Sequence, residues 1–171
     1  YNLAGGKFSD GSTNATEKHN EGTNVVVKEE PTRKGYKFTG WTVKGLDNTT
    51  TISSGESFTM PGNTVTLTAN WEEQNIGDFV KLKTKDVTKE YDGNTYAAGK
   101  ATTSVKEGKD VKDIGTLKVE YQVAGTDKWT TDFNSITAKN VDESKTINVR
   151  VKSDDLLGEL TGTETLTITK R

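Results

Sequence analysis

Few residues of this 171-residue chain combine the type and the spacing that chemistry requires. Residues 98–102 place a lysine directly after Gly99, as phosphate-binding loops do. Such a loop also needs a glycine five residues before Gly99 and a hydroxyl side chain after the lysine. Asn94 and Ala101 occupy those two positions, so we interpret the segment as an ordinary loop.

The titratable side chains do not form a recognisable catalytic set either. His19 is the only histidine, and its neighbours are polar or charged, which indicates a position facing solvent. A histidine-based catalytic pair needs a positioned nucleophile and an orienting acid. Acidic pairs such as Asp110 and Asp113 lie in loop-like sequence, whereas a glycosidase needs two carboxyls facing each other across a cleft. Residues 90–94 contain too few oxygen ligands for a calcium loop. We therefore predict a non-catalytic protein with no cofactor and no metal.

Aromatic rings can stack on sugars and are the remaining candidates for binding. Four of them lie in alternating, strand-like sequence: Tyr36, Phe38, Trp41 and Trp71. We expect these rings in a core, because burying each one contributes about 1.5–3 kcal/mol or more. Trp129 differs, because it lies just after a turn among threonine and aspartate residues. Trp129 is therefore the ring that we predict to be available for ligand contact.

In the first half, the apolar residues predict short strands. Residues 65–71 alternate between apolar and polar side chains, which is typical of a half-buried strand. Residues 36–43 also predict a strand, but the apolar side changes at Gly40, so we predict a β-bulge there. Residues 25–27 predict a third strand. Residues 14–21 are expected to form one or two helical turns.

The second half predicts β-structure throughout. Residues 117–123, 147–151 and 166–168 all alternate between apolar and polar side chains. Residues 124–127 predict a hairpin turn that leads to Trp129. Strands at this spacing, without long helical patterns, favour an antiparallel sandwich. The polar run that separates the two halves contains a glycine, which indicates a boundary between domains. We place domains at 1–72 and 79–171, with a linker at 73–78.

Composition excludes several classes of protein. Hydrophobic residues make up 30% of the chain, which predicts thin cores of the kind found in small β modules. The net charge is −2 and no basic stripe is present, so we expect no nucleic-acid partner. No apolar run approaches the roughly 20 residues that span a bilayer. Cysteine is absent, which removes disulfides and thiolate chemistry. The chain begins inside strand-like sequence, so we expect a segment of a longer protein.

Two resemblances extend this interpretation. Residues 35–41 read Gly-Tyr-Lys-Phe-Thr-Gly-Trp, and Phe-Thr-Met-Pro follows at 58–61, before the strand that ends at Trp71. This spacing resembles the Listeria–Bacteroides repeat, also called the internalin B-repeat, a family of small extracellular β-grasp-like modules. In the second half, residues 89–93 read Lys-Glu-Tyr-Asp-Gly, and with the closing strand at 166–170 they resemble the Ig-like Tyr-Asp-Gly modules of bacterial surface proteins.

The resemblances imply a mainly β chain, with a small β-grasp-like (α+β) domain followed by an Ig-like antiparallel β-sandwich. They imply an extracellular location, on the cell wall or surface of a bacterium, and the absence of cysteine fits a surface protein of a Gram-positive species. The expected function is that of non-catalytic tandem repeats, a monomeric stalk or spacer that presents other domains. The alternative is an adhesin module that binds a host glycoprotein, glycosaminoglycan or peptide, or a neighbouring surface protein. A spacer should lack a sizeable exposed apolar patch, whereas a binding module should have such a patch or a groove.

Overall fold

The computed structural model describes residues 1–171 and contains thirteen β-strands and one short α-helix. The chain is mainly β, as the sequence predicts. It divides into Tyr1–Gln74 and Asn75–Arg171, which we call unit 1 and unit 2. Within the segment expected to be a linker, Glu73 ends a strand of unit 1 and Ile76 begins the helix of unit 2. No helix is long and apolar enough to cross a membrane.

Unit 1 contains five strands in two small antiparallel sheets. One sheet has the order β3-β2-β5, and the other pairs β1 with β4. The register of β2 against β5 shifts between Phe38 and Gly40, which confirms the predicted bulge. Gly40 has a φ of 128°, a value that residues with a side chain rarely adopt. The strands are β1 (Asn24–Val26), β2 (Tyr36–Lys44), β3 (Thr51–Ile52), β4 (Ser57–Thr59) and β5 (Thr66–Glu73).

The helix predicted at residues 14–21 was wrong, because this segment contains no helix. Asn14 instead forms an antiparallel bridge with Asn2, and the Tyr1 ammonium donates to the Ala15 carbonyl at 2.8 Å. Asparagine and threonine have weak helix propensity, and pairing with the first residues of the chain satisfies the backbone in an extended form.

The core of unit 1 is built from aromatic rings. Trp41 is fully buried, which confirms the predicted core position. Its ring meets Tyr1 edge-on at 5.4 Å between centroids and Phe38 at 5.2 Å. Phe38 meets Trp71 in the same way at 5.7 Å. Trp71 is half-buried, and its Nε1 donates to the Leu3 carbonyl. Neither indole is an open platform.

Unit 2 contains one four-stranded sheet and two strand pairs. The sheet order is β10-β12-β13-β7, and the pairs are β6 with β9 and β8 with β11. All pairings are antiparallel except that of β7 with β13, which is parallel. The elements are α1 (Ile76–Phe79), β6 (Val80–Lys83), β7 (Val87–Glu90), β8 (Tyr96–Ala97), β9 (Thr102–Val105), β10 (Leu117–Val123), β11 (Thr137–Ala138), β12 (Lys145–Ser153) and β13 (Glu159–Thr169), with 3₁₀ turns at Val111–Asp113, Phe133–Ser135 and Val141–Glu143.

The core of unit 2 lies on one face of its large sheet. Ile147, Val149 and Val151 of β12 are buried, as their alternation predicts, and so are Leu166 and Ile168 of β13. The β8–β11 pair covers part of this face with small residues, while α1 and the β6–β9 pair cover the part around Val151. The result is a sandwich-like packing of two layers. Its opposite face carries the polar residues of the alternation.

Candidate functional site

Trp129, the predicted ligand-contact residue, lies beside the outer polar face of β10 and β12. It follows the hairpin turn at residues 124–127, where Thr126 N donates to the Val123 carbonyl at 3.1 Å. The strand returns through an antiparallel bridge between Tyr121 and Thr130, which confirms the predicted hairpin. The indole is half-buried rather than open. The guanidinium of Arg150 stacks 4.0 Å from the ring centroid.

Arg150 belongs to a ladder of polar side chains across the same two strands. Its Nε donates to Glu120 Oε2 at 2.9 Å, and Lys118 Nζ lies 2.9 Å from the other oxygen. These two cations, Lys118 first, lower the pKa of the Glu120 carboxyl. One step along, Asn148 donates to Gln122 at 3.1 Å. These polar side chains bond to one another across β10 and β12, and the Trp129 ring lies beside Arg150 as an apolar surface.

Unit 1 has a groove of about 310 Å³ beside its first residue. Its floor is apolar and includes Val25, Phe58, Met60 and Val65. Its polar rim includes His19, the histidine that the sequence placed in solvent. His19 Nε2 lies 3.0 Å from Glu17, whose other oxygen pairs with Lys28 at 2.9 Å. These contacts, the one with His19 first, lower the pKa of the Glu17 carboxyl.

Strand β5 forms one wall of this groove. Asn2 pairs with β5 in parallel: its N–H donates to the Leu67 carbonyl, and its carbonyl accepts from Ala69 N. This pairing extends the three-stranded sheet by one bridge, on the side of β5 away from β2.

A third cluster lies where the chain crosses from β6 to β7 in unit 2. Glu164 of β13 points into the core and is only 1% exposed. Its Oε2 accepts from Lys85 N at 3.0 Å, while its Oε1 has no hydrogen-bond partner. Burial raises the pKa of this carboxyl, and the nearby negative charge of Asp86 raises it further, against the opposing effect of the Lys85 N–H.

The neighbouring carboxylate makes the reciprocal contact. Asp86 Oδ1 accepts from Thr165 N at 2.7 Å and from Thr165 Oγ1 at 3.1 Å. Each segment thus supplies one carboxylate that accepts a backbone N–H of the other. We call Lys85, Asp86, Glu164 and Thr165 the crossover clasp. Gly99 lies against it: a Cβ at this position would come within 1.9 Å of the Lys85 carbonyl.

The sequence interpretation missed Glu164, although a signal was present. Glu164 has the same parity along β13 as Leu166 and Ile168, which the alternation placed in the core. A charged residue on the apolar side of a strand is informative, because buried charges are rare and need partners. The Lys85 partner could not be found from spacing, since it lies 79 residues away.

The remaining sequence candidates occupy separate places. Gly99, from the phosphate-loop pattern, is buried against Lys85 rather than in an open loop. Asp92 accepts from Tyr96 Oη at 2.5 Å and from Asn94 N at 2.9 Å, which closes a turn. These hydrogen bonds, Tyr96 first, lower the pKa of the Asp92 carboxyl. No group of three or more His, Cys, Asp or Glu residues in the chain could hold a metal ion.

Comparison with known proteins bears on unit 1. A family model described as a divergent InlB B-repeat domain matches residues 1–75. This match confirms the resemblance inferred from the aromatic and glycine spacing of residues 35–71. No curated protein and no solved structure matches the chain. The Ig-like interpretation of residues 79–171 stays a prediction.

Proposed function

We propose that this chain is a non-catalytic spacer of a bacterial surface protein. The premise of this proposal is that residues 1–75 match a divergent InlB B-repeat domain. That family is associated with bacterial surface proteins, which suggests an extracellular location. In this proposal both units hold other domains away from the cell, and neither carries out a reaction.

The observation that supports a spacer is the position of the two ends of unit 2. Its first residue, Asn75, forms a parallel bridge with Leu157, just before β13 begins at Glu159. Strand β13, the last strand of unit 2, ends at Thr169. Asn75 and Thr169 are therefore separated by the length of an 11-residue strand, which is about 35 Å at roughly 3.3 Å per residue. A unit of this kind adds length to whatever it connects.

A display experiment tests the spacer proposal. One, two or three copies of the chain are placed between a membrane-anchored domain and an epitope on a bacterial cell. We expect binding of an antibody coupled to a large bead to rise with the number of copies, because each copy moves the epitope further from the surface. Equal bead binding for all three lengths would contradict the proposal, provided that free antibody detects equal amounts of epitope.

A second candidate function, peptide binding, is favoured by the groove of unit 1. Its apolar lining, which includes Phe58, Met60 and Val65, could receive the side chains of a bound peptide. The ligand would be an extended peptide with alternating apolar side chains. Scattered exposed hydrophobics such as Val26 do not form a comparable site.

Peptide binding has its own test, with a matched control. Pools of extended peptides are titrated into the ¹⁵N-labelled chain, and amide shifts are recorded. We expect shifts centred on residues 64–67, which Val65→Lys abolishes and Val26→Lys leaves in place. Val26 is 59% exposed in the strand next to the groove, so it controls for added charge. Absence of shifts with every pool would remove this candidate and leave the spacer proposal intact.

A further inference from the structure

The first and last strands of the large sheet in unit 2 run in the same direction. β7 pairs with β13 in parallel through four residue pairs, from Val87 with Leu166 to Glu90 with Thr169. The ladder continues past β7, where Tyr91 N donates to the Thr169 carbonyl at 2.9 Å. Thr169 is the last strand residue before the end of the unit. The ladder therefore joins a segment near the start of unit 2 to a segment at its end.

The positions of the two ends of unit 2 decide how a pulling force would reach this ladder. The chain reaches β7 from Asn75, which bridges Leu157 near the beginning of β13, and it leaves from the other end of β13. Between Asn75 and β7 the chain passes through α1 and through β6, which pairs with β9. Once these elements have yielded, pulling the ends apart draws β7 and β13 in opposite directions along their lengths. In this geometry the hydrogen bonds between the two strands are loaded together. They would be loaded one at a time if the strands were peeled apart from one end.

The crossover clasp fixes the start of the same ladder. Glu164 and Thr165 immediately precede the β13 residues that pair with β7, and Lys85 and Asp86 immediately precede β7 itself. Sliding of one strand along the other would break both carboxylate contacts. It would also leave the buried Glu164 carboxylate with no hydrogen-bond partner, which is costly in a core.

We propose that the parallel β7–β13 ladder and the crossover clasp form a mechanical clamp, which lets unit 2 resist a pulling force between its two ends. The biological use of such a clamp rests on the spacer proposal, because a spacer on a cell surface transmits load. The resistance itself is a property of unit 2 and can be measured separately.

Two proline substitutions in β7 form a matched test. Tyr91 N donates to β13, and backbone donors alternate in direction, so Lys89 N also faces β13 whereas Thr88 N faces the free edge of the sheet. Lys89→Pro therefore removes a donor from the ladder. Thr88→Pro introduces the same ring without removing one, and edge strands tolerate proline at such positions. Both side chains are exposed, so neither change empties the core.

The experiment pulls the full chain between its two ends in a single-molecule force instrument. The two units differ in length, so the extension released on unfolding assigns each event. We expect Lys89→Pro to raise the unfolding rate of unit 2 at a given force by roughly tenfold or more, as expected for one lost hydrogen bond and one stranded carbonyl. Thr88→Pro should change this rate by less than about twofold, and unit 1 should unfold as before in both variants.

A second measurement keeps the proposal testable if Lys89→Pro does not fold. The chain has no cysteine, so Thr95→Cys gives a unique attachment point beyond the far end of β7. Pulling between Cys at this position and the C-terminus peels the ladder from one end, and we expect a clearly lower unfolding force than with end-to-end pulling. Equal forces in the two directions, or equal effects of the two prolines, would overturn the clamp. If the unfolding forces were equal in the two pulling directions, the load would be carried elsewhere, for example by the pairing of β6 with β9. A failed display experiment with intact direction dependence would instead remove the spacer proposal alone.

Discussion

Unit 1 and unit 2 both have small apolar cores, but the two cores are built from different kinds of residue. Unit 1 packs its strands around large rings, with Trp41 in edge-on contact with Tyr1 and Phe38 and in tilted contact with Phe8. Unit 2 has a large sheet whose long strands bury aliphatic residues, such as Val149 and Val151 of β12, along an extended face. In unit 1 much of the stability depends on a few side chains. In unit 2 it depends on backbone pairing and on close approach between layers.

The two units also differ in the parallel contacts that they contain. In unit 1, the parallel contact between Asn2 and β5 consists of two backbone hydrogen bonds, at Leu67 and Ala69. In unit 2, the corresponding contact is a ladder of four residue pairs with a clasp at its start. The two cores and the crossover clasp therefore indicate where substitutions should have their largest effects.

The largest expected effect is on the aromatic core of unit 1. Trp41→Ala should lower the free energy of unfolding of unit 1 by about 3–5 kcal/mol, because it removes a fully buried ring and leaves a cavity. Unit 2 should be unaffected. Urea unfolding followed by ¹H–¹⁵N spectra reports both units in one sample. Val26→Ala, at an exposed position in unit 1, is the control and should change stability by less than about 0.5 kcal/mol. A loss in unit 2 of similar size would contradict the independence of the two cores.

The next effect concerns the backbone of unit 2. Gly99→Ala should destabilise unit 2 by about 2 kcal/mol or more, because the new Cβ would lie 1.9 Å from the Lys85 carbonyl and force the crossover apart. Gly77→Ala is the control, since its Cβ would meet only Leu160 Cδ2, at 3.9 Å. Neither glycine has a positive φ, so the pair isolates the clash from backbone strain. Equal urea midpoints for the two variants would show that the crossover can move at little cost.

The sequence predicted well those features that depend on local alternation. Leu67 and Ala69 of β5, and Ile147 and Val149 of β12, are buried on the side that their parity indicates. The bulge at Gly40 followed from the same rule, since a change of side within a strand requires an extra residue. These features need only the period of two and the hydrophobic effect.

Features that depend on distant partners were missed. β7 reads Val-Thr-Lys-Glu, which carries little apolar signal, and its place in the sheet comes from pairing with a strand nearly 80 residues later. The helix expected at residues 14–21 failed for the same reason, because a partner at Asn2 outweighed weak local preferences. The groove beside Tyr1 arises from loops and strand edges brought together by the fold, which no local pattern encodes.

The two buried carboxylates of unit 2 should respond to pH in opposite directions. The pKa of Glu164 is raised above its ordinary value of 4.5 in the folded state. Unit 2 therefore loses stability as the pH rises from 4.5 through the raised pKa. Glu164→Gln should remove this loss and stabilise unit 2 at neutral pH by an amount of the order of 1 kcal/mol, the scale of a buried unpaired polar group. The gain should shrink towards pH 4.5, where the wild-type carboxyl is itself protonated.

Glu120→Gln provides the matched comparison on the outer face. The pKa of Glu120 is lowered by Lys118 and Arg150, so its contribution to stability is present above pH 4.5 and is lost as pH falls below it. This variant should therefore be less stable than wild type at neutral pH, and the difference should disappear in acid. Urea midpoints across the pH range measure both variants. If Glu164→Gln also destabilised unit 2 at neutral pH, the carboxylate would stabilise the crossover clasp more than an amide does, through its hydrogen bond from Lys85 N.

The smallest expected effect separates the tryptophan of unit 2 from those of unit 1. Trp129 is half-buried and stacked on Arg150, and the guanidinium keeps its bond to Glu120 when the ring is removed. Trp129→Ala should therefore cost unit 2 only about 1 kcal/mol, the scale of a partly exposed cation–π contact. Trp129→Phe, which keeps a ring over the guanidinium, should cost less. A loss near the value expected for Trp41 would make Trp129 a core residue, and the ligand contact predicted for it would then have no available surface. A small loss in the free energy of unfolding, measured with urea, would show that the fold does not depend on the ring, which could then contact a ligand.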